Sequence, residues 1–230
     1  MKTFGIISEG PTDQIIIENI LVGFFNNDDL SPNIRQLQPL RDTTDAVETQ
    51  RFGGWYKVFE YCSSTNFIEA FEQNDYLIIQ VDTDRCEDEH YDIKRTNVHG
   101  ATLTDEDLIQ AVIDKFERLL VTTFGQEKFN LFNDRIIYAV SVEEIECWLL
   151  PLYYDSKIKA STGNCVHKLN EGIKGKFTFY IDPGNKSNMV NNYDKMSRPF
   201  TKSKILTRKY VDNISLQVFV EKLTEKNITI

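Results

Sequence analysis

Tyr76 to Glu89 reads YLIIQVDTDRCEDE and joins a strand-like run to the densest acidic cluster in the chain. Tyr76 to Val81 is almost wholly apolar and β-branched, the pattern of a central parallel strand covered on both faces. Asp82 and Asp84 then stand at its carboxyl end, the edge where open α/β sheets collect their ligands. Two carboxylates that close repel each other, and a hard divalent cation such as Mg²⁺ relieves the repulsion. The plainer reading, a capped strand end followed by a solvated acidic loop, stands beside this one.

Working outward, two more stretches repeat the pattern of a strand ending in acids. Phe4 to Ser8 predicts a short buried strand, and Glu9-Gly10-Pro11-Thr12-Asp13 a turn into a helix reaching about Phe25. Gly10 permits the turn, Pro11 suits a first helical turn, and Thr12 or Asp13 can cap it. Ile16, Ile20 and Phe24 form that helix's apolar stripe. Glu9 thus ends a second strand, with Asp13 one helical turn later. Arg135 to Val142, RIIYAVSV, predicts a third strand, followed by EEIECWLL. On a helix Glu143 and Glu146 would share one face, while an acidic first turn favoured by the helix dipole explains them equally.

Composition bounds the classes. The chain has 230 residues, 35 acids and 26 bases, and a formal charge of −9. Bulk electrostatics therefore cannot hold nucleic acid; contact needs a local basic patch or metal ions. Four scattered cysteines, Cys62, Cys86, Cys147 and Cys165, form no CxxC, which favours free thiols in a reducing cytosol over a zinc ribbon or a disulfide framework. The amino terminus lacks a signal-peptide core and no apolar run reaches 18 residues. The expectation is a soluble, cytoplasmic protein with no membrane partner.

Between these strands the chain is less telling. Residues 26–54 are polar apart from a strand-like Ile34 to Leu40, and Arg41 to Arg51 with the Gly53-Gly54 break predicts a connection. Trp55 to Cys62 and Phe67 to Phe71 predict short helices. Arg85 to Thr102 is a long polar segment suited to a lid, and its His90 and His99 have no zinc spacing. Thr104 caps a helix that carries Leu108, Val112, Phe116 and Leu119 toward Gly125. Beyond Pro151, lysines and arginines interleave with tyrosines and phenylalanines, a mixture able to follow a phosphate backbone and stack on bases. A mixed-charge folded surface has the same composition. The organisation expected is an α/β domain over residues 1–150, with a mostly parallel sheet flanked by helices, and a basic, aromatic, mainly helical extension over 151–230.

The Glu9-Gly10 turn in SEGPTD and the Asp82-Thr83-Asp84 of VDTDR together resemble the Toprim domain shared by topoisomerases, primases and nucleases of the overcoming-lysogenization-defect type. Ile145 to Leu150, IECWLL, is similar to a segment of small bacterial Toprim-like proteins, some linked to phage defence. The resemblance covers roughly residues 1–150. It departs from the topoisomerase pattern, which continues to a third aspartate where this chain has Cys86.

The resemblance implies a divalent-metal-dependent nuclease cutting DNA or RNA, with Mg²⁺ or Mn²⁺ held by Glu9, Asp82 and Asp84 and with Asp13 and Glu143 or Glu146 completing or sharing a second ion about 4 Å away. Glu9 is also a candidate general base. Nuclease-type relatives use a nearby lysine; Lys186 and Lys195 are the candidates, and no motif pins either. A protein partner from a defence system is implied in the same way, and a homodimer is compatible with the sequence. The rivals are an aspartyl phosphatase of the haloacid-dehalogenase type, a nucleotide-sugar transferase using Asp-x-Asp, and a Toprim-fold binding or regulatory module without turnover.

Overall fold

The computed structural model describes residues 1–40 and 54–230, and the backbone alone of 186–188. The polar stretch from Arg41 to Arg51 and the break at Gly53 lie outside the described residues. In chain order the elements are β1 (Phe4–Ile7), α1 (Pro11–Phe25), β2 (Ile34–Gln38), α2 (Gly54–Cys62), α3 (Thr65–Gln73), β3 (Tyr76–Asp82), α4 (Asp105–Phe124), α5 (Gln126–Phe132) and β4 (Ile136–Ser141). After a 3₁₀ turn over Ile145–Leu149 come α6 (Leu150–Tyr153), α7 (Cys165–Ile173), α8 (Val190–Ser197), α9 (Ser203–Lys209) and α10 (Ile214–Glu225).

Among the described residues the sheet has four strands, all parallel, in the order β2-β1-β3-β4. This is an α/β fold. From β1 the chain winds outward to β2, then crosses back over β1 to β3 and on to β4. The direction reverses between β1 and β3, and at such a switch point the carboxyl ends of two strands open a crevice.

Alternation along the strands sorts their side chains into two cores. Phe4, Ile6, Ile78, Ile137 and Ala139 face one side, while Ile7, Leu77, Ile79, Val81, Ile136 and Val140 face the other. The second side is covered by α2, α3, α4 and α5 through Trp55, Phe59, Phe67, Val112 and Phe116. On the first side lie α1 and the carboxyl-terminal helices, with Trp148, Tyr193, Phe200, Leu216 and Phe219 in the same core as Phe4 and Ile6. Residues 151–230 are therefore one of the two layers that cover the sheet. Buried polar contacts fix this layer in place: Asn19 Nδ2 donates to Ser197 Oγ at 2.8 Å, and Trp148 Nε1 donates to Ser215 Oγ at 2.8 Å. Gly23 permits the close crossing of α1, because a Cβ there would stand 1.8 Å from the Phe200 carbonyl oxygen.

The amino-terminal edge of the sheet is tied by side chains. Asp75, just before β3, accepts from Lys2 Nζ at 2.9 Å and from the Thr3 backbone N–H at 2.9 Å. Arg135 donates to the carbonyls of Phe71, Asn74 and Asp75.

Two expectations are corrected. Cys147 and Cys165 are joined in a disulfide, their Cα atoms 5.0 Å apart, while Cys62 and Cys86 are buried free thiols. The pair is 18 residues apart in sequence, and only the docking of α7 beside the 3₁₀ turn brings it together. The segment after β4 does not continue as an α-helix from Glu143: that residue has a left-handed φ of 61°, and helical turns begin only at Ile145. The three-residue spacing of Glu143 and Glu146 consequently does not place them on one face.

Candidate functional site

The site begins with an anomaly in β3. Gln80 is a fully buried amide in an otherwise apolar strand. Its Oε1 accepts from the Glu9 backbone N–H at 3.2 Å, and its Nε2 donates to Asp82 Oδ1 at 2.9 Å. One side chain thus spans the switch point and orients acids from two strands. The Asp82 backbone N–H in turn donates to Glu9 Oε1 at 2.7 Å, and the Trp55 N–H at the start of α2 also reaches that carboxylate. Gly54 lets α2 come so near, since a Cβ there would lie 2.7 Å from the Glu9 carbonyl oxygen.

Asp13 joins from the first turn of α1, where its Oδ2 accepts from the Gly10 N–H at 2.6 Å. Glu146 arrives from the 3₁₀ turn after β4, buried to 1 % exposure, and its Oε1 accepts from the Tyr193 hydroxyl at 2.5 Å. Tyr193 is itself fully buried on α8, so the carboxyl-terminal layer supplies part of the site. Asp84 is exposed just past the strand end. Ser141, the register partner of Asp82 on β4, is fully buried, and its hydroxyl has no hydrogen-bond partner among the described residues.

Electrostatics bind these groups into one cluster. Burial first, and then the charges of Asp13 and Asp84, raises the Glu9 pKa well above the usual carboxylate range, against the pull of the Asp82 and Trp55 N–H groups. Asp82 is raised in the same way by burial and by the charges of Glu9, Asp13, Glu146 and Asp84. Burial and the Glu146 charge also push the Tyr193 hydroxyl far up, so it remains a donor.

The acids expected from the sequence divide accordingly. Glu9, Asp13, Asp82, Asp84 and Glu146 act on one another at the switch point; Glu143 does not join them. Glu143 turns to Arg95, whose Nη1 donates to its Oε1 at 2.6 Å while Nη2 donates to the Thr83 carbonyl at 2.6 Å. This pair anchors the long segment after β3, and Tyr91 anchors it again by donating to the Asp82 carbonyl at 3.1 Å and packing against Trp55. The expected lid is thereby fastened to the α2 side of the sheet. Lys195 is exposed and leaves α8 two residues after Tyr193, on nearly the opposite face of the helix, so the fold does not turn it toward Glu146. Lys186 falls in the 3₁₀ stretch Pro183–Met189, and its side chain lies outside the described residues. His90 and His99 are exposed in the loop.

Sequence reasoning does not single out Gln80, Ser141, Arg95 or Tyr193 for the site. Gln80 carries a visible signal, a lone amide in a strand buried on both faces, and Ser141 a similar one at the end of RIIYAVSV. Arg95 and Tyr193 act across sequence gaps that no spacing reveals.

The donor chemistry fits a hard divalent cation, being oxygen throughout and mutually repelling. As the side chains stand, no three His, Cys, Asp or Glu residues among those described form a group able to hold a metal ion. Holding such a cation would therefore require rotation of the carboxylates from these positions. Comparison with protein-family models, with curated proteins and with solved structures finds no match to this chain.

Proposed function

We propose that this chain is a divalent-cation-dependent phosphodiester hydrolase acting on DNA or RNA. The observation that carries the reading is the gathering of Glu9, Asp13, Asp82, Asp84 and Glu146 at the β1/β3 switch point, with Glu9 destabilised as an anion by burial and by the charges of Asp13 and Asp84, and Asp82 by burial and by the charge of Glu9. Isolated acids serve solubility; buried acids that raise one another's pKa in a crevice mark a functional site. Glu9, Asp82 and Asp84 would hold Mg²⁺ or Mn²⁺, with Asp13 and Glu146 completing the oxygen set. When bound, the cation neutralises charge on a phosphodiester that these carboxylates alone would repel, and polarises its oxygens.

The chain's own groups do the rest. Gln80 links Asp82 to the Glu9 backbone, the Asp82 and Trp55 N–H groups bond to Glu9, and Tyr193 bonds to Glu146. If the cation rests on Asp82 and Asp84 without Glu9, the Glu9 carboxylate is instead the general base for an attacking water. Lys195 and Lys186 have no assigned part in this mechanism. A place as an effector in anti-phage defence, with a protein partner, rests on the resemblance described above.

A second reading, a nucleic-acid- or partner-binding module without turnover, draws on one observation: among the described residues no three side chains yet form an ion-holding group. The test is incubation of the full chain with single- and double-stranded DNA and RNA in Mn²⁺, Mg²⁺ or EDTA. Cleavage is expected with the cations only, and Asp82→Ala should abolish it while leaving the circular-dichroism spectrum unchanged. Equal cutting by that variant refutes the assignment; cation binding with every substrate left whole selects the second reading.

A further inference from the structure

Lysine and arginine are concentrated in residues 151–230 of a chain whose net charge is −9, and the fold gathers part of that charge on one surface. A cleft of about 510 Å³ is lined by Lys159, Lys176, Arg208 and Lys209, together with Tyr153, Asp155 and Asp212. Beside it a second cleft of about 580 Å³ is lined by Lys204 and Arg208 with Asn26, Ser203 and Thr207. Arg208 belongs to both, so the two clefts meet at its side chain and together make a track beside α9.

The charges in the track are not balanced. Asp212 is paired with Lys159 at 2.7 Å and Asp155 with Lys209 at 2.9 Å. These pairs hold two lysines in place and use both acids of the larger cleft. Lys176, Lys204 and Arg208 are the surplus cations among the described residues of the track. Lys176 lies over the Tyr153 ring, 5.0 Å from its centroid, and so is held in place by a ring whose hydroxyl donates to the Met196 carbonyl at 2.8 Å. A single phosphate would occupy one cleft; two adjoining clefts with cations along both suit a linear polyanion, and nucleic acid is the polyanion that the proposed function supplies.

We infer that this track, formed by α6, α9 and the segment carrying Lys176, binds single-stranded nucleic acid through its phosphates. The inference deepens the reading of nucleic acid as substrate, yet it needs no cation at the acidic cluster and is tested without one. The probe is a fluorescein-labelled oligothymidylate of about ten nucleotides, titrated with the full chain in EDTA and followed by fluorescence anisotropy over a range of salt. Binding should weaken steadily with salt. The double substitution Lys176→Gln/Arg208→Gln, on exposed side chains, should weaken it at least about tenfold and lower the salt slope by about 1.4, near 0.7 for each phosphate that is no longer neutralised. Lys128→Gln, exposed on α5 across the sheet, should bind as the wild type does, whether or not the unaltered chain proves able to cut. Unchanged affinity in the double variant would overturn the inference. So would displacement of the probe by millimolar inorganic phosphate, which would mark a single-anion site, or displacement by polyglutamate as readily as by unlabelled oligonucleotide, which would assign the track to an acidic protein segment.

Discussion

Glu146 shows how much of this site depends on a residue far along the chain, since the hydroxyl that meets it comes from Tyr193, 47 positions later. Tyr193→Phe removes one donor from a buried carboxylate and keeps the ring in the core. Such a loss costs about 1.5–3 kcal/mol, read as a lower urea midpoint. Combining it with Glu146→Gln should give a non-additive effect; simple additivity in that cycle would show that the two groups are not coupled. Asp75 gives a pH-dependent counterpart at the opposite edge of the sheet. Its hydrogen bonds with Lys2 and Thr3 lower its pKa to about 2 from 3.8. Between those values the unfolded chain binds more protons, so the contribution is full above pH 3.8 and is lost as pH falls through about 2. Asp75→Asn should therefore flatten the acid limb of the stability profile, and an unchanged limb would count against the network. At this scale Glu9, Asp13, Asp82 and Asp84 were legible because strand ends announce themselves in hydrophobic pattern. The choice of Glu146 over Glu143 was not, because it turns on one left-handed residue in a bend.

Helices and strands were read more fully than side-chain partners. Strands β1, β3 and β4 and the long α4 followed from apolar runs, a capping threonine and a terminal glycine, all signals carried within a few residues, while β2, IRQLQ, shows only as a strand-like piece in a polar stretch. Short elements such as α5, and the succession of 3₁₀ turns after Leu149, have too few residues to show a period. Crossing geometry is likewise invisible in one sequence. Gly23 sits inside α1, where alanine would raise helix propensity by up to about 1 kcal/mol. The new methyl would meet the Phe200 carbonyl, at 1.8 Å before any adjustment. Backbone cannot give way as a flexible side chain does, so the clash prevails. Gly23→Ala should lower stability by about 1–3 kcal/mol in thermal unfolding, and a variant more stable than the parent would show that α1 does not cross there so closely.

For the whole molecule, the decisive feature is that one face of the sheet is covered by α1 together with the carboxyl-terminal helices. A break near residue 150 suits the change in composition, but Phe4, Ile6, Ile78 and Ile137 pack in the same core as Phe200, Leu216 and Phe219. Residues 1–150 alone should therefore fail to give a monomer with cooperative unfolding, as judged by size exclusion and calorimetry; a well-behaved monomer would mean that the halves are independent. None of the described helices is long and apolar enough to cross a membrane. The Cys147–Cys165 bond adds a covalent tie between the turn that carries Glu146 and the layer above it.

Synthesis runs from the amino side of the chain, and that order has a consequence for the Tyr193–Glu146 contact. All five acids precede α8 in the chain, so a nascent or prematurely ended polypeptide that stops short of that helix carries the charges without the hydroxyl that meets Glu146. The crevice is thus whole only once α8 has been made and docked.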